Sequence, residues 1–268
     1  MTIPKINNGL TAAEYHAYSG LSKTQLGYLQ RSPLHLRNYL DTPRTKATED
    51  QIIGTAVHTA ALESELFNDQ YVIAPVCDRR TKEGKAVYAQ FVTENFGKTA
   101  LDAEDYHNVL AIAGAIRSAP ALAQFGITTE GLRGVAEASV FGVDFGTNLG
   151  IKARLDYYDP ETNTIIDIKT TKTSDFRSFR REIFKWGYGL QAVHYRDIVQ
   201  QITGKPARFI FAAVEKESPY AVQLFELDEA SYQALTDERA ELFRQWSKAL
   251  QTNTFKGYST DIASVSLV

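Results

Sequence analysis

The stretch RLDYYDPETNTIIDIK, residues 154–169, predicts two β-strands joined by a turn. Its outer parts are apolar or aromatic at strand length, and residues 159–163, DPETN, have the composition of a turn. A hairpin of this kind brings Asp156 beside Asp167. Because Asp167 and Lys169 are two residues apart on one strand, their side chains leave the same face of the sheet.

Further strands and helices are predicted on both sides of this hairpin. Apolar runs and alternation predict strands over residues 136–141, 149–157, 164–168, 208–214 and 221–227. Helical periodicity predicts helices over residues 20–40 (divided at Pro33), 50–63, 83–95, 102–117, 186–202 and 228–250. This order of elements predicts an α/β fold in which helices flank a mixed central β-sheet.

The chain of 268 residues shows no internal repeat and no low-complexity linker. We therefore expect a single domain over residues 1–268. Residues 1–128 form its mainly helical part, and residues 129–268 form the core that contains the sheet.

Composition narrows the class of protein. Hydrophobic residues make up 44% and charged residues 23%, which are ordinary globular values. The single cysteine, Cys77, excludes a disulfide framework and four-cysteine metal sites. The longest apolar run, residues 109–116, is far shorter than the ~20 residues of a membrane-spanning helix, and the first residues lack a signal-peptide core. We expect a soluble cytoplasmic protein without membrane contact.

Two carboxylates as close as Asp156 and Asp167 would repel each other unless a cation lay between them. Oxygen ligands of this kind suit a hard divalent ion, and Lys169 would then orient or help to deprotonate a water held by that ion. The alternative is a solvated hairpin whose charged residues share a face by chance.

Three further features favour a site over a solvated hairpin. Asp167 stands between isoleucines, where an unpaired charge is costly. His58 lies on an otherwise apolar helix, as a further ligand or, alternatively, as a core histidine. Gln191 and Tyr195 are four residues apart on a helix, so that they share a face and could contact a phosphate or base.

In this order along the chain, these residues resemble the PD-(D/E)XK nuclease superfamily. The likeness is to its RecB-like branch and, within that branch, to the RecE-type exodeoxyribonuclease VIII family. The blocks that carry the resemblance are Gly54-x3-His58, Glu137, Arg154-Leu-Asp156, Asp167-x-Lys169 and Gln191-x3-Tyr195. Where the superfamily's name has Pro-Asp, this chain has Leu155-Asp156.

The resemblance implies a restriction-endonuclease-like core and 5′ to 3′ degradation of linear double-stranded DNA without ATP. A 3′ single strand would remain for a RecT-type annealing partner. Two Mg²⁺ ions per site are implied, in the cytoplasm of a bacterial or phage-infected cell. Because His58 is a softer ligand than Mg²⁺ usually takes, we expect Mn²⁺ to substitute. The assembly would be a homo-oligomeric ring, with a tetramer favoured over a trimer.

The resemblance also assigns roles to residues. The implied metal ligands are His58, Asp156, Asp167 and the Ile168 carbonyl. Glu137 would serve a second metal or its water, and Lys169 would be the catalytic lysine.

DNA binding must be reconciled with 29 basic and 32 acidic residues, a net charge of -3. Residues 167–208 contain nine basic against four acidic residues, a local charge of +5. Phenylalanines interleave with the cations there, a mixture that suits phosphate contact and base stacking. The alternative is an amphipathic segment that buries its aromatic rings. Candidate DNA contacts in this segment are Lys172, Arg177 and Arg181.

Other candidate DNA contacts lie nearer the N-terminus. Arg79 and Arg80 begin a second basic group on a predicted loop. A pocket for a 5′ phosphate would use a helix start and guanidinium groups. The candidates for that pocket are Ser22, Lys23, Arg31 and Arg154. Ser22 as a plain helix N-cap is an equally good interpretation.

Two other functions remain open. The first is a single-strand or structure-specific nuclease of the same superfamily, although many of those carry a four-cysteine cluster that Cys77 alone cannot form. The second is a non-catalytic DNA-binding module. Retention of His58, Asp156, Asp167 and Lys169 together argues against a module without activity.

Overall fold

The computed structural model describes residues 6–7, 9–42, 46–259, 262 and 264. Its helices are α1 (Ala12–Ala17), α2 (Lys23–Arg31), α3 (Pro33–Asp41), α4 (Glu49–Leu62), α5 (Ser64–Gln70), α6 (Lys82–Glu94), α7 (Ala103–Ser118), α8 (Pro120–Ala123), α9 (Phe176–Trp186), α10 (Tyr188–Thr203) and α11 (Glu229–Thr252). Its strands are β1 (Ile6–Asn7), β2 (Tyr71–Ile73), β3 (Thr99–Leu101), β4 (Val135–Asp144), β5 (Leu149–Asp159), β6 (Thr164–Thr171), β7 (Arg208–Glu215) and β8 (Val222–Phe225).

The main sheet has six strands in the order β1-β4-β5-β6-β7-β8. Strands β4, β5 and β6 form an antiparallel meander, in which β5 and β6 are the predicted hairpin. Strand β7 lies parallel to β6, and β8 returns antiparallel to β7. Parallel neighbours need a crossover, which α9 and α10 supply. The predicted α/β fold with a mixed sheet and flanking helices is confirmed.

The sheet separates two hydrophobic layers, and β7 shows how the sequence builds them. Phe209 and Phe211 pack into the layer with α2, α3, α10 and α11, whereas Ile210 and Ala212 pack into the layer with α4 and α7. A strand that is buried on both faces reads as a continuous apolar run, as this one does.

Most predicted elements are present with small shifts of their ends. Pro33 divides the predicted helix as expected, since α2 ends at Arg31 and Ser32 caps α3. The exception that matters for function is α9, whose residues were predicted only as an amphipathic segment. The shorter elements α1, α5, α8, β1, β2 and β3 were not predicted, because they are too short to show a period.

No helix in the described part of the chain is both long and apolar enough to cross a membrane.

Candidate active site

Side chains from α4, β4 and β5 converge on one point. They are His58, Glu137 and Asp156, and one ligand atom of each lies within 4.8 Å of the others. His58 Nδ1 is 3.6 Å from Asp156 Oδ1 and 3.9 Å from Glu137 Oε1. All three side chains are half-buried. Two carboxylates and an imidazole therefore share a space that is only partly open to solvent.

A hydrogen bond from the second ring nitrogen of His58 fixes the orientation and the tautomer of the ring. His58 Nε2 lies 3.1 Å from the carbonyl oxygen of Ile168. Because a carbonyl can only accept, Nε2 carries the proton and donates it. Nδ1 then faces the two carboxylates, and its lone pair is available to a cation. The alternative of a core histidine does not hold, because the ring faces a cleft.

Glu137 interrupts β4 with a left-handed backbone, at φ 47°. The ladder passes from Ala136 opposite Tyr157 to Ala138 opposite Leu155 without pairing Glu137. This conformation costs a residue with a β-carbon on the order of 1–3 kcal/mol, and such residues cluster at functional sites. The backbone at this position directs the carboxylate towards His58 instead of along the regular pleat.

Strands β5 and β6 separate at Asp156. Their ladder runs from Asp159 opposite Thr164 to Tyr157 opposite Ile166. At Asp156 a side chain replaces the ladder, because its Oδ2 accepts the Ile168 backbone N–H at 2.8 Å. The fork between the strands opens the space in which the cluster lies, and the carboxylate satisfies an amide that would otherwise lose its partner.

Asp167 and Lys169 form an ion pair on β6, as their spacing predicts. The Asp167 side chain is 1% exposed and that of Lys169 is 15% exposed. Gln191 on α10 donates its side-chain N–H to the other Asp167 oxygen. The pair is thus buried, and the interpretation of this segment as a solvated hairpin is wrong.

Burial and like charges change the proton affinities of the site. Burial, together with the neighbouring Asp156 carboxylate, raises the pKa of Glu137 to about 7. Burial likewise raises the pKa of Asp167 to about 6, although Lys169 opposes this shift. For Lys169 itself, burial disfavours the charged form, but the carboxylates of Asp167 and Asp156 outweigh it and raise the pKa.

Replacement of Glu137 by glutamine is expected to stabilise the metal-free protein at pH 8 by about 1–3 kcal/mol, at about 1.4 kcal/mol per pKa unit. The raised pKa means that the folded state keeps a proton which the unfolded state releases near the usual 4.5. The stability from that proton is present below pH 4.5 and is lost as the pH rises through about 7. Urea unfolding in EDTA at pH 5 and pH 8 measures the effect. An equal difference between the two proteins at both pH values would contradict it.

The cluster opens into a cleft of 1050 Å³ that also contains Arg154, Lys23 and Lys169. The ring of Tyr188 lies beneath both ammonium groups, 5.1 Å from Lys23 Nζ and 4.8 Å from Lys169 Nζ. Burial and the charge of Lys169 lower the pKa of Lys23 to about 8. Arg154 donates from Nε to Glu137 at 2.7 Å, and its buried Nη1 has no hydrogen-bond partner in the described structure. The cleft therefore places three cationic groups beside two carboxylates, a setting that suits a phosphate held against a metal ion.

The predicted phosphate pocket is divided by the structure. Ser22 caps α2 in a reciprocal capping box with Gln25 and lines a neighbouring cavity of 670 Å³. Lys23 belongs to the cleft, whereas Arg31 stands at the opposite end of α2, about 12 Å along the axis. Of the four candidates for the pocket, Lys23 and Arg154 lie together.

The other predicted DNA contacts lie on exposed surfaces. Arg79 stacks over Tyr88 at 4.4 Å, and Arg80 pairs with Asp78 at 3.0 Å. Neither arginine lines the cleft. Lys172, Arg177 and Arg181 are exposed on the segment that contains α9.

The helix face with Gln191 and Tyr195 does not point to solvent, which corrects the expectation of a DNA contact. Gln191 is 5% exposed and binds Asp167. Tyr195 is 8% exposed and packs edge-on against Phe209 in the core. The four-residue spacing correctly predicted that the two side chains share one face of the helix. That face is turned towards the sheet and not towards solvent.

Sequence reasoning missed Tyr188, which underlies both lysines of the cleft. No spacing rule marks this residue, because it stands at the start of α10 directly after Gly187. It also missed the contact between Thr171 and Glu182, whose hydroxyl and carboxylate oxygens are 2.8 Å apart. The position of Thr171 two residues after Lys169 was a signal that could have been used.

The residues present fit a hard divalent cation. The cluster offers two carboxylates and one imidazole nitrogen, and oxygen-rich sets of this kind suit Mg²⁺ or Mn²⁺. Asp167 lies outside this group of three, and both its oxygens are engaged by Lys169 and Gln191. The Ile168 carbonyl oxygen lies beside this cluster and accepts a hydrogen bond from His58 Nε2. The roles implied for Asp167 and Ile168 as metal ligands stay predictions.

Solved structures with a similar fold are known. A crystal structure of a provisionally named exonuclease from Eubacterium rectale is similar at a TM-score of 0.63 and 15% identity, over 96% of this chain and 92% of that one. A phage-related exonuclease from Haemophilus somnus 129PT gives a TM-score of 0.35 at 12% identity, over 89% of this chain and 98% of that one. A search of curated proteins gave no match. The first structure supports the fold.

The sequence profile of a family described as a PDDEXK-like domain of unknown function, DUF3799, matches residues 22–266. This range contains the cluster, the Asp167–Lys169 pair and every strand of the main sheet except β1. The PD-(D/E)XK resemblance predicted from the motifs is confirmed, and the chain belongs to the PDDEXK-like family DUF3799.

Proposed function

We propose that this protein is a divalent-metal-dependent nuclease that degrades linear double-stranded DNA from its 5′ ends without ATP and leaves 3′ single strands. The PDDEXK-like family and the exonuclease-like neighbour support a nuclease. The direction, the duplex substrate and the overhang rest on the resemblance to RecE-type enzymes.

The observation that carries the proposal is the cluster of His58, Glu137 and Asp156 beside the buried Asp167–Lys169 pair. Two acids, one of them in a left-handed backbone, and a buried ion pair are costly to assemble. Phosphodiester hydrolysis uses each part, because it needs ligands for a cation and a positive group near the developing charge.

Each residue of the site has a separate role in the proposed reaction. His58, Glu137 and Asp156 would hold the cation, which supplies Lewis-acid stabilisation and an acidified water when bound. Lys169 donates hydrogen bonds to the attacking water and to a non-bridging phosphate oxygen. Asp167 and Gln191 fix the position of Lys169. Lys23 and Arg154 neutralise the phosphate from the walls of the cleft.

Incubation of linear duplex and of covalently closed circular DNA with Mg²⁺ or Mn²⁺, with and without EDTA, tests the function. We expect loss of the linear duplex only, and no reaction in EDTA. Label at the 5′ end should be released before label at the 3′ end. Cleavage of the circle would favour a structure-specific nuclease, digestion of single strands alone would favour a single-strand nuclease, and binding without cleavage would favour a DNA-binding module.

A duplex without 5′ phosphates is expected to be degraded about tenfold more slowly than a phosphorylated one, which corresponds to about 1.4 kcal/mol. Lys23 and Arg154 supply the positive charge for this recognition. The K23A variant should not distinguish the two substrates, whereas K248A, which removes an exposed charge from α11, should distinguish them as the wild type does. Initial rates on the two duplexes measure this, and equal wild-type rates would contradict the pocket.

We extend the proposal to a ring, tetrameric or trimeric, that passes its product to a RecT-type annealing protein. A ring around the duplex would keep the enzyme on its substrate by making each rebinding intramolecular. Its support is the family resemblance. Sedimentation velocity at working concentration should show an oligomer, and a monomer would contradict the ring.

A further inference from the structure

Helix α9 carries an exposed face of cations and aromatic rings; at its N-terminal end the Phe176 ring contacts Phe225, with 6.4 Å between the ring centroids. We call it the basic–aromatic face, and its members are Phe176, Arg177, Arg180, Arg181, Phe184 and Lys185. At 100° per residue these six positions cover one continuous half of the helix. All six are exposed, with Phe176 at 66% and Phe184 at 73%. The opposite half of the helix buries Phe179 in the core.

The charges on this face are unbalanced. None of its four cations forms an ion pair with an acid in the part of the chain that the structure describes. Glu182, the one acidic residue of α9, lies against Thr171 instead. Asp175 caps the helix by accepting the N–H groups of Arg177 and Ser178. The complement of this face is therefore an anion with several charges.

The aromatic rings restrict which polyanion fits. Arg180 stacks over Phe184 at 5.3 Å, which leaves a flat surface of ring and guanidinium in contact with solvent. At the C-terminal end, Lys185 stacks over Trp186, which is 52% exposed. Bases of a single strand can stack on such surfaces, whereas those of a duplex are already stacked on each other. Phosphate contacts alone would not require exposed rings.

Helix α9 is joined at two points to residues that lead to the cleft. The contact between Thr171 and Glu182 ties α9 to the strand of Lys169. At the other end, Gly187 takes a left-handed backbone, φ 63°, and Tyr188 follows beneath the cleft's two lysines. A strand that leaves the cleft past Tyr188 would therefore pass the C-terminal end of α9.

We propose that the basic–aromatic face of α9 binds single-stranded DNA, namely the strand that the nuclease leaves uncut, by phosphate contacts to its cations and base stacking on its rings. The identity of that strand rests on the proposed function. Binding of single-stranded DNA to the face does not, so it can be tested without cleavage.

Fluorescence anisotropy with a labelled oligo-dT single strand, in EDTA and with the full chain, tests the proposal. The F176A/F184A variant should bind this strand at least about tenfold more weakly than the wild type. It should bind a blunt duplex of the same length within about twofold of the wild type. F96A/F145A is the matched control, because those two rings are 91% and 84% exposed in turns away from α9. It should bind like the wild type.

An abasic oligonucleotide with the same number of phosphates separates stacking from charge. The wild type should prefer oligo-dT, and F176A/F184A should lose that preference. The R177A/R181A variant should lower the salt dependence of single-strand binding by about 1.4 in the log–log slope, for two phosphate contacts. F184A alone serves if the double variant unfolds, since Phe184 is 73% exposed. Unchanged single-strand binding by F176A/F184A, or an equal loss for duplex, would overturn the proposal, whether or not the protein cleaves DNA.

Discussion

Replacement of Lys169 by alanine is expected to reduce DNA cleavage by about 10²–10³-fold, the range for loss of one charge-stabilising donor. The ammonium of Lys169 is the cationic group of the cleft that is held in position by an ion pair with Asp167. DNA binding should persist, because Lys23 and Arg154 remain in the cleft. Single-turnover cleavage of a labelled duplex, together with binding measured in EDTA, separates the two effects.

The K169A variant leaves Asp167 buried without its cation. Because burial already raises the pKa of that carboxyl to about 6, we expect it to take up a proton and the chain to remain folded. If K169A does not fold, the D167N/K169M variant removes both charges and keeps the volume of the side chains. K248A, an exposed charge loss on α11, is the control and should retain wild-type activity. Cleavage at the wild-type rate by K169A would exclude the role.

Replacement of Asp156 by asparagine is expected to weaken divalent-cation binding by at least about 10–100-fold, and cleavage should fall with it. The amide oxygen can still accept the Ile168 N–H, so that the fork between the strands keeps its hydrogen bond. The loss is therefore one of ligand charge. Isothermal titration with Mn²⁺, and cleavage across a Mn²⁺ series, measure the two effects on the same protein.

The D237N variant is the matched control, since Asp237 is exposed on α11 and bonds with Gln233. It should bind Mn²⁺ like the wild type. If D156N also binds Mn²⁺ like the wild type, then Asp156 is not a ligand. If excess Mn²⁺ restores the cleavage rate, the defect lies in affinity, which is the result that a lost ligand predicts.

The sequence predicted every strand of the main sheet except β1, and it predicted that Asp167 and Lys169 share one site on β6. Asp167 and Lys169 are two residues apart on one strand, so the period of two places both side chains on the same face once the strand is recognised. His58 was found because a polar ring on an apolar helix stands out. The approach of its Nδ1 to two carboxylates depends on how α4 packs across the sheet, which no local pattern records.

The helix face that carries Gln191 and Tyr195 shows the limit of what a periodic pattern can predict. A helical period tells which residues share a face, but not whether that face turns to solvent or to the sheet. Tyr195 is in the core, and Gln191 supports Asp167. At α9 the amphipathic pattern was compatible with buried aromatic rings as well as with exposed ones. The structure shows that Phe176 and Phe184 are exposed.

The fork at Asp156 has a consequence for how precisely the site is prepared. One carboxylate oxygen is fixed by the main chain of β6, while the other is turned towards His58. The direction of the second oxygen is thus set by the alignment of two strands and not by the rotational freedom of a side chain. The site is preorganised before any ion arrives, so a cation entering the cleft meets donors that need little rearrangement.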